Sequence, residues 1–118
     1  MQKNFYNVLL MLLSPAESVL LMVLIDRAGE GDKPLVVSYP VLSTLTNVAL
    51  TSIGKHIQTL ERFGFIKIDI DARTNGNSYI VRWKEIDKAV GTLQTFGDLE
   101  TRVTECKRMR KIVLSKNK

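Results

Sequence analysis

The 118 residues read as a single α+β domain, mainly α, in which a short helix, a tight turn and a longer helix lead directly into a two-stranded hairpin. Three observations point to this arrangement. In the stretch NVALTSIGKHIQTLERFGF, residues 47–65, Ile53, Ile57 and Leu60 recur at helical spacing, while Lys55, Thr59 and Arg62 point the opposite way with Thr51, Ser52 and Gln58 beside them. After Gly64 the period switches to two, because Ile66, Ile68 and Ile70 alternate with Lys67, Asp69 and Asp71. Upstream, Ser14-Pro15-Ala16-Glu17 is a capping box with proline at the first helical position, a strong helix start.

Taken in order, residues 1–13 form an apolar helix or arm holding Phe5, Tyr6, Val8 and Leu9 to Leu13, too dense in apolar side chains to stand alone in water. It packs on this chain's own core or against a second copy. The helix opened by Ser14 is expected to run through Leu20, Leu21, Val23, Leu24 and Ile25 to about Ala28, with Gly29 as its stop. Leu35-Val36-Val37 is a short β-prone run. Ser38 can cap a helix from Tyr39 to about Thr46, with Leu42 and Leu45 facing inward. Asn47-Val48-Ala49-Leu50 is the turn, in which Val48 and Leu50 pin the angle of the next helix, residues 51–63, capped by Thr51 and closed by Gly64 in a left-handed conformation. Short helix, turn, longer helix is the helix-turn-helix arrangement, which presents its second helix to a groove.

The strand from Phe65 to Asp71 is followed by the polar loop Ala72-Arg73-Thr74-Asn75-Gly76-Asn77, whose Asn-Gly pair suits a hairpin turn, and by a return strand from Ser78 to Trp83. A hairpin in this position is the wing of a winged helix, with Arg73, Thr74, Asn75 and Asn77 at its tip. Tyr79 and Trp83 are expected as sheet and core residues. Lys84 to Gly91 is helix-compatible, and Gly91 and Gly97 bracket a weaker piece with Leu93 and Phe96. Asp98 can cap a last helix in which Leu99, Val103, Cys106 and Val113 keep an approximate three-four spacing, interrupted by Arg110. The organisation is then an N-terminal segment 1–13, a winged helix-turn-helix domain 14–84 and a helical extension 85–118 with a basic tail.

The chain carries 17 Lys and Arg against 12 Asp and Glu, a formal charge of +5. The distribution is uneven. Residues 1–50 hold 3 basic and 4 acidic residues, 51–84 hold 6 and 3, 85–99 hold 1 and 3, and 100–118 hold 7 and 2. The positive excess therefore sits in the helix-plus-hairpin region and the tail, which favours a polyanionic partner. A single cysteine, Cys106, permits no internal disulfide and fits a reducing compartment. One His and one Cys make no zinc cluster, and no cofactor motif is present. The apolar runs at residues 8–13 and 19–25 are shorter than the roughly 18 residues of a membrane span. These features predict a soluble cytoplasmic protein that is not an enzyme: there is no phosphate-cradling glycine loop, no nucleophile elbow, and one His, His56, placed between two helix faces as a packing residue.

Over residues 14–84 the chain resembles the winged helix-turn-helix superfamily, on the strength of the capped helix at Ser14, the phrase TSIGKHIQTLERFGFIKI and the wing ending GNSYIVRW. Similar phrases occur in bacterial MarR-like regulators, in DnaD-like replisome proteins and in the N-terminal domains of plasmid and phage replication initiators. By position the resemblance implies Thr51, Ser52, Lys55, Gln58 and Thr59 as major-groove contacts, and Arg73, Asn75 and Asn77 as wing contacts to backbone or minor groove. Lys55 and Arg62 are the candidate phosphate contacts on the helix face itself.

The expected function is therefore sequence-specific binding of double-stranded DNA, in transcription regulation or replication initiation. A homodimer formed through the N- and C-terminal helices is expected, as in MarR-like regulators, with no membrane association. The alternative is a winged helix used as a protein-interaction module within a replication or partition assembly.

Overall fold

The computed structural model describes residues 5–29, 34–71 and 76–115, and of residues 5, 6, 70, 71, 76 and 77 the backbone alone. Its helices and strands follow in the order α1 (Phe5–Leu12), α2 (Pro15–Ala28), β1 (Leu35–Val37), α3 (Tyr39–Thr46), α4 (Leu50–Arg62), β2 (Ile66–Asp71), β3 (Gly76–Val81), α5 (Trp83–Gln94) and α6 (Leu99–Ser115). The result is a mainly helical winged helix-turn-helix with flanking helices at both ends.

The capping box at Ser14 forms. The Glu17 amide donates to Ser14 Oγ at 3.2 Å and the Ser14 amide donates to Glu17 Oε1 at 3.0 Å. Gly29, at φ +68°, ends α2 by donating its N–H to the Ile25 carbonyl, a left-handed conformation that glycine adopts without steric cost. Ser38 caps α3 by accepting from the Val41 amide. Asn47, in a left-handed conformation at φ +60°, closes α3 and starts the turn. Two α3 side chains hold that turn in place: Ser43 Oγ donates to the Val48 carbonyl at 2.6 Å, and Thr46 Oγ1 accepts from the Val48 amide at 3.2 Å.

Helices α2, α3 and α4 enclose the core through Leu20, Leu21, Leu24, Leu42, Ile53, Ile57 and Leu60, all fully buried. Each such side chain contributes about 1.5–3 kcal/mol relative to exposure, so this interface sets the angle at which α4 is held. Phe65, Ile66, Tyr79 and Val81 extend the core under the sheet. Gly64, at φ +80°, turns the chain from α4 into β2, and the Phe63 and Phe65 rings on either side of it stack with centroids 5.3 Å apart.

The wing is three-stranded rather than two-stranded. β1 joins the hairpin, giving the order β1-β3-β2, both pairs antiparallel, with Tyr79 of β3 opposite Leu35 on one side and Ile68 on the other. A three-residue run gains stability only as an edge strand on a partner, which is why residues 35–37 require β3. The hairpin tip, including Arg73 and Asn75, lies outside the described residues. Gly76 is paired with Asp71 in the ladder. β3 ends at Val81, so Trp83 begins α5 instead of finishing the strand, and α5 runs through Gly91 to Gln94 without a break there.

A second helical layer closes the back. Val8, Leu9 and Leu12 of α1, Leu13, Ile86, Val90 and Leu93 of α5 and Cys106 of α6 are buried in one continuous core with α2 and α4. The apolar N-terminal segment thus packs on its own chain. Asp98 caps α6, its carboxylate accepting from the amides of Glu100 and Thr101. The expected inward position of Leu45 is corrected, since it is 41% exposed; Leu50, expected to pin the angle of α4, and Leu99, expected in the α6 spacing, stand in the first turns of their helices and are 50% and 61% exposed.

Candidate nucleic-acid interface

The face that α4 turns away from the core is a stripe of Thr51, Lys55, Gln58 and Arg62, spaced four, three and four residues apart and all exposed. Ile53, Ile57 and Leu60, on the opposite side, are fully buried and prevent the helix from rotating. An amphipathic rod seated in this way offers one hydroxyl, one amide and two cations along a single line about 16 Å long at 1.5 Å per residue. That length and chemistry suit a major groove, where hydroxyl and amide groups can bond base edges and cations can lie on phosphates.

Thr51 does not cap α4. The N-cap is Ala49, without a side-chain hydrogen bond, and Thr51 stands within the first turn with its side chain exposed. Alanine at the N-cap position has no side-chain oxygen to accept from the first-turn amides. Gly54 faces Tyr39 of α3, and a β-carbon there would lie 3.4 Å from the Tyr39 ring.

At the edge of the stripe, α4 meets α2 and α6 in a polar node. The Arg110 guanidinium donates to both carboxylate oxygens of Glu17, at 2.6 and 2.9 Å, and also to the Leu12 carbonyl at 3.3 Å. His56 of α4 approaches the same carboxylate, Nδ1 to Oε2, at 3.9 Å. Burial works to raise the Glu17 pKa, but the Arg110 hydrogen bonds and charge, with the Ser14 amide, hold it below the ordinary value. The Arg110 pKa is raised in turn by those hydrogen bonds. Both groups stay ionised at neutral pH, and one carboxylate joins the start of α2 to the last helix beside α4.

Beside this node is a cleft of about 500 Å³ between α4 and α6, lined by Lys55, His56, Gln58, Thr59 and Arg62 on one side and Arg110 and Leu114 on the other, with Ser14 and Glu17 at its base. Among the described residues, no helix is long and apolar enough to cross a membrane.

Residues 12–66, from the end of α1 into β2, match a family model described as a helix-turn-helix domain. The match covers a little under half of the chain, and over that stretch the chain is similar to this family. No curated protein and no solved structure matched the chain. The matched segment contains the whole of α4, and helix-turn-helix domains engage DNA through the second helix of the motif.

Within the helix-turn-helix domain, Thr51, Lys55, Gln58 and Arg62 share the outward stripe, while Ser52 is half-buried at its margin. Thr59 is displaced from that face. Its side chain is only 9% exposed and its hydroxyl donates to the Lys55 carbonyl at 3.1 Å, because α6 and the cleft lie on that side of the helix. Asn77 is placed by its backbone in β3, opposite Val37 and Ile70. Glu17 and Arg110, which organise the site from behind, were not among the candidate residues. The interruption of the α6 apolar spacing by Arg110 was their one signal, and it reads as a partner requirement only once Glu17 is known to face it.

Proposed function

We propose that the protein binds double-stranded DNA sequence-specifically, inserting α4 into the major groove and laying the wing on adjacent backbone or minor groove. It acts by binding and not by catalysis. The single observation that carries this reading is the exposed stripe of Thr51, Lys55, Gln58 and Arg62 on a helix whose other face is locked into the core. Gln58 and Thr51 are the base-reading residues, and Lys55 and Arg62 neutralise phosphates. Arg73, Asn75 and Asn77 of the wing add backbone contacts. Such a protein serves as a transcriptional regulator or as an initiator-like replication protein in the cytoplasm, and it works as a homodimer on a palindromic site with half-sites about one helical turn apart. Because α1 and α6 bury their inner faces within the chain, the dimer uses their outer faces, where Leu10 and Leu99 are exposed.

A mobility-shift titration with a random duplex pool at two salt concentrations tests the reading. The expected result is binding that weakens with salt and is lost or severely reduced in Lys55→Ala; absence of binding at about 50 mM salt overturns it. Sequences selected from the pool then separate an operator from a replication origin.

A second reading, as a protein-docking module, draws on a different observation. Val41 and Leu45, one turn apart on α3, and Leu50 at the start of α4 are all exposed apolar side chains on the helix-turn-helix. A wild-type protein that ignores duplex DNA at low salt yet is captured by a partner through Val41 and Leu45 belongs to that class.

A further inference from the structure

We propose that α6 is a second duplex-binding element, and that the cleft between α6 and α4 seats the phosphodiester backbone of one DNA strand. The inference rests on the DNA-binding reading and adds to it a named surface outside the helix-turn-helix motif and the wing. Three observations converge on this surface.

The first is position. The bidentate contact of Arg110 with Glu17, buried Cys106 and half-buried Met109 fix α6 so that Leu114 and Arg110 form one wall of the cleft and Lys55, Gln58 and Arg62 the other. Lys107 and Lys111 lie two turns and one turn back from Leu114 at the spacing 107, 111, 114, so they share its edge of the helix, and both are exposed. A duplex resting on the α4 stripe has its flanking backbone alongside that edge.

The second is charge. Among the described residues, Glu17 is the one carboxylate lining the cleft, and Arg110 occupies both of its oxygens. Lys55, Arg62, Lys107 and Lys111 have no carboxylate partner among the described residues, whereas Arg108, on the far side of α6, is paired with Glu105 at 2.6 Å. These like charges stand on neighbouring edges of α4 and α6, Lys55 and Arg62 lining the cleft and Lys107 and Lys111 on the α6 edge that Leu114 shares, and a polyanion laid along both edges lowers their mutual repulsion.

The third excludes the opposite role for α6. A helix that masks a duplex-binding face by imitating its ligand needs carboxylates. Residues 100–118 instead hold 7 Lys and Arg against 2 Asp and Glu. Packed beside the groove-facing helix, such a segment extends the site.

The test is a salt titration of duplex binding by the full chain, wild type against Lys107→Ala/Lys111→Ala. Both lysines are exposed, so the fold is expected to be retained, and circular dichroism of the variant checks this. The expected result is a fall in the slope of log affinity against log salt by about two, close to 0.9 per lost phosphate contact, with affinity reduced about tenfold or more near 0.15 M salt. A benzophenone attached at Leu114→Cys gives an independent readout, since Cys106 is fully buried and the label goes to one position; crosslinking to the bound duplex is expected. An unchanged slope in the double variant, or binding without any crosslink, overturns the inference while Lys55→Ala still weakens binding. If the wild-type protein binds no duplex at all, the underlying DNA reading falls with it, and the two failures are told apart by the wild-type titration alone.

Discussion

Arg110 of α6 places its guanidinium on both carboxylate oxygens of Glu17, a residue 93 positions earlier that also closes the capping box of α2. One buried carboxylate therefore satisfies a backbone amide of its own helix and holds the last helix against the first layer of the fold. His56 stands 3.9 Å away on α4, so the same node borders the helix proposed to read DNA.

Removing Arg110 leaves the Glu17 carboxylate buried with the Ser14 amide still donating to it but no counter-charge in contact with both oxygens. Arg110→Met is expected to destabilise the protein by about 2 kcal/mol; unpairing a fully buried ion costs about 3–5, and the partial exposure of Arg110 reduces it. Urea unfolding measures the change. An equal stability for Arg110→Met and wild type means that the pair contributes nothing net.

The pH dependence follows from the direction of the Glu17 shift. Its folded-state pKa lies below the ordinary value of 4.5, so its contribution is fully present above about pH 4.5 and is lost as pH falls through the lower folded-state value. Stability of the wild-type protein should therefore fall more steeply with acidification below pH 4.5 than that of Glu17→Gln. Chemical denaturation at a series of pH values from 6 to 3 gives both curves, and parallel curves contradict the assignment.

Within the α2 start, Ser14→Ala removes the hydroxyl that accepts from the Glu17 amide and is expected to cost about 1 kcal/mol. The loss should be larger than that of Ser38→Ala, whose 3.4 Å bond is longer and exposed. Thermal or urea unfolding of the two single variants ranks them.

Gly54→Ala is expected to be neutral or stabilising, by up to about 1 kcal/mol, because alanine favours the helix and the added carbon meets the Tyr39 ring at an ordinary contact distance of 3.4 Å. Gly54→Leu has no such room and should displace Tyr39 and weaken the α3 to α4 packing. Tyrosine fluorescence and unfolding midpoints distinguish the two.

On the proposed DNA surface, Gln58→Ala should relax preference at one or two base pairs, about 1–3 kcal/mol of discrimination for a well-formed amide-to-base pair. Thr59→Val should leave the selected sequences unchanged, since its hydroxyl is used on the Lys55 carbonyl. Selection from a random duplex library with each variant reads this directly; altered selection by Thr59→Val with none by Gln58→Ala reverses the assigned roles.

Local chemistry along the chain was sufficient for most of the architecture. The Ser14 to Glu17 box, the Ile53, Ile57 and Leu60 spacing, the left-handed Gly64 and the period-two isoleucines of β2 are each decided by residues within a turn or a strand of one another, where sequence distance and spatial distance coincide. The apolar stripe of α4 also dictated which residues face outward, and Thr51, Lys55, Gln58 and Arg62 are there.

What required the folded chain was every relationship between distant segments. Residues 35–37 become an edge strand because β3 offers them a partner, and Leu45 and Leu50 are exposed because none of the described elements covers them. Thr59 left the outward face because α6 lies beside it, brought there by Arg110 and Glu17. Periodicity specifies one helix face at a time. Which other element closes over that face depends on burial and charge pairing across the whole molecule, and neither is encoded in the spacing of any single helix.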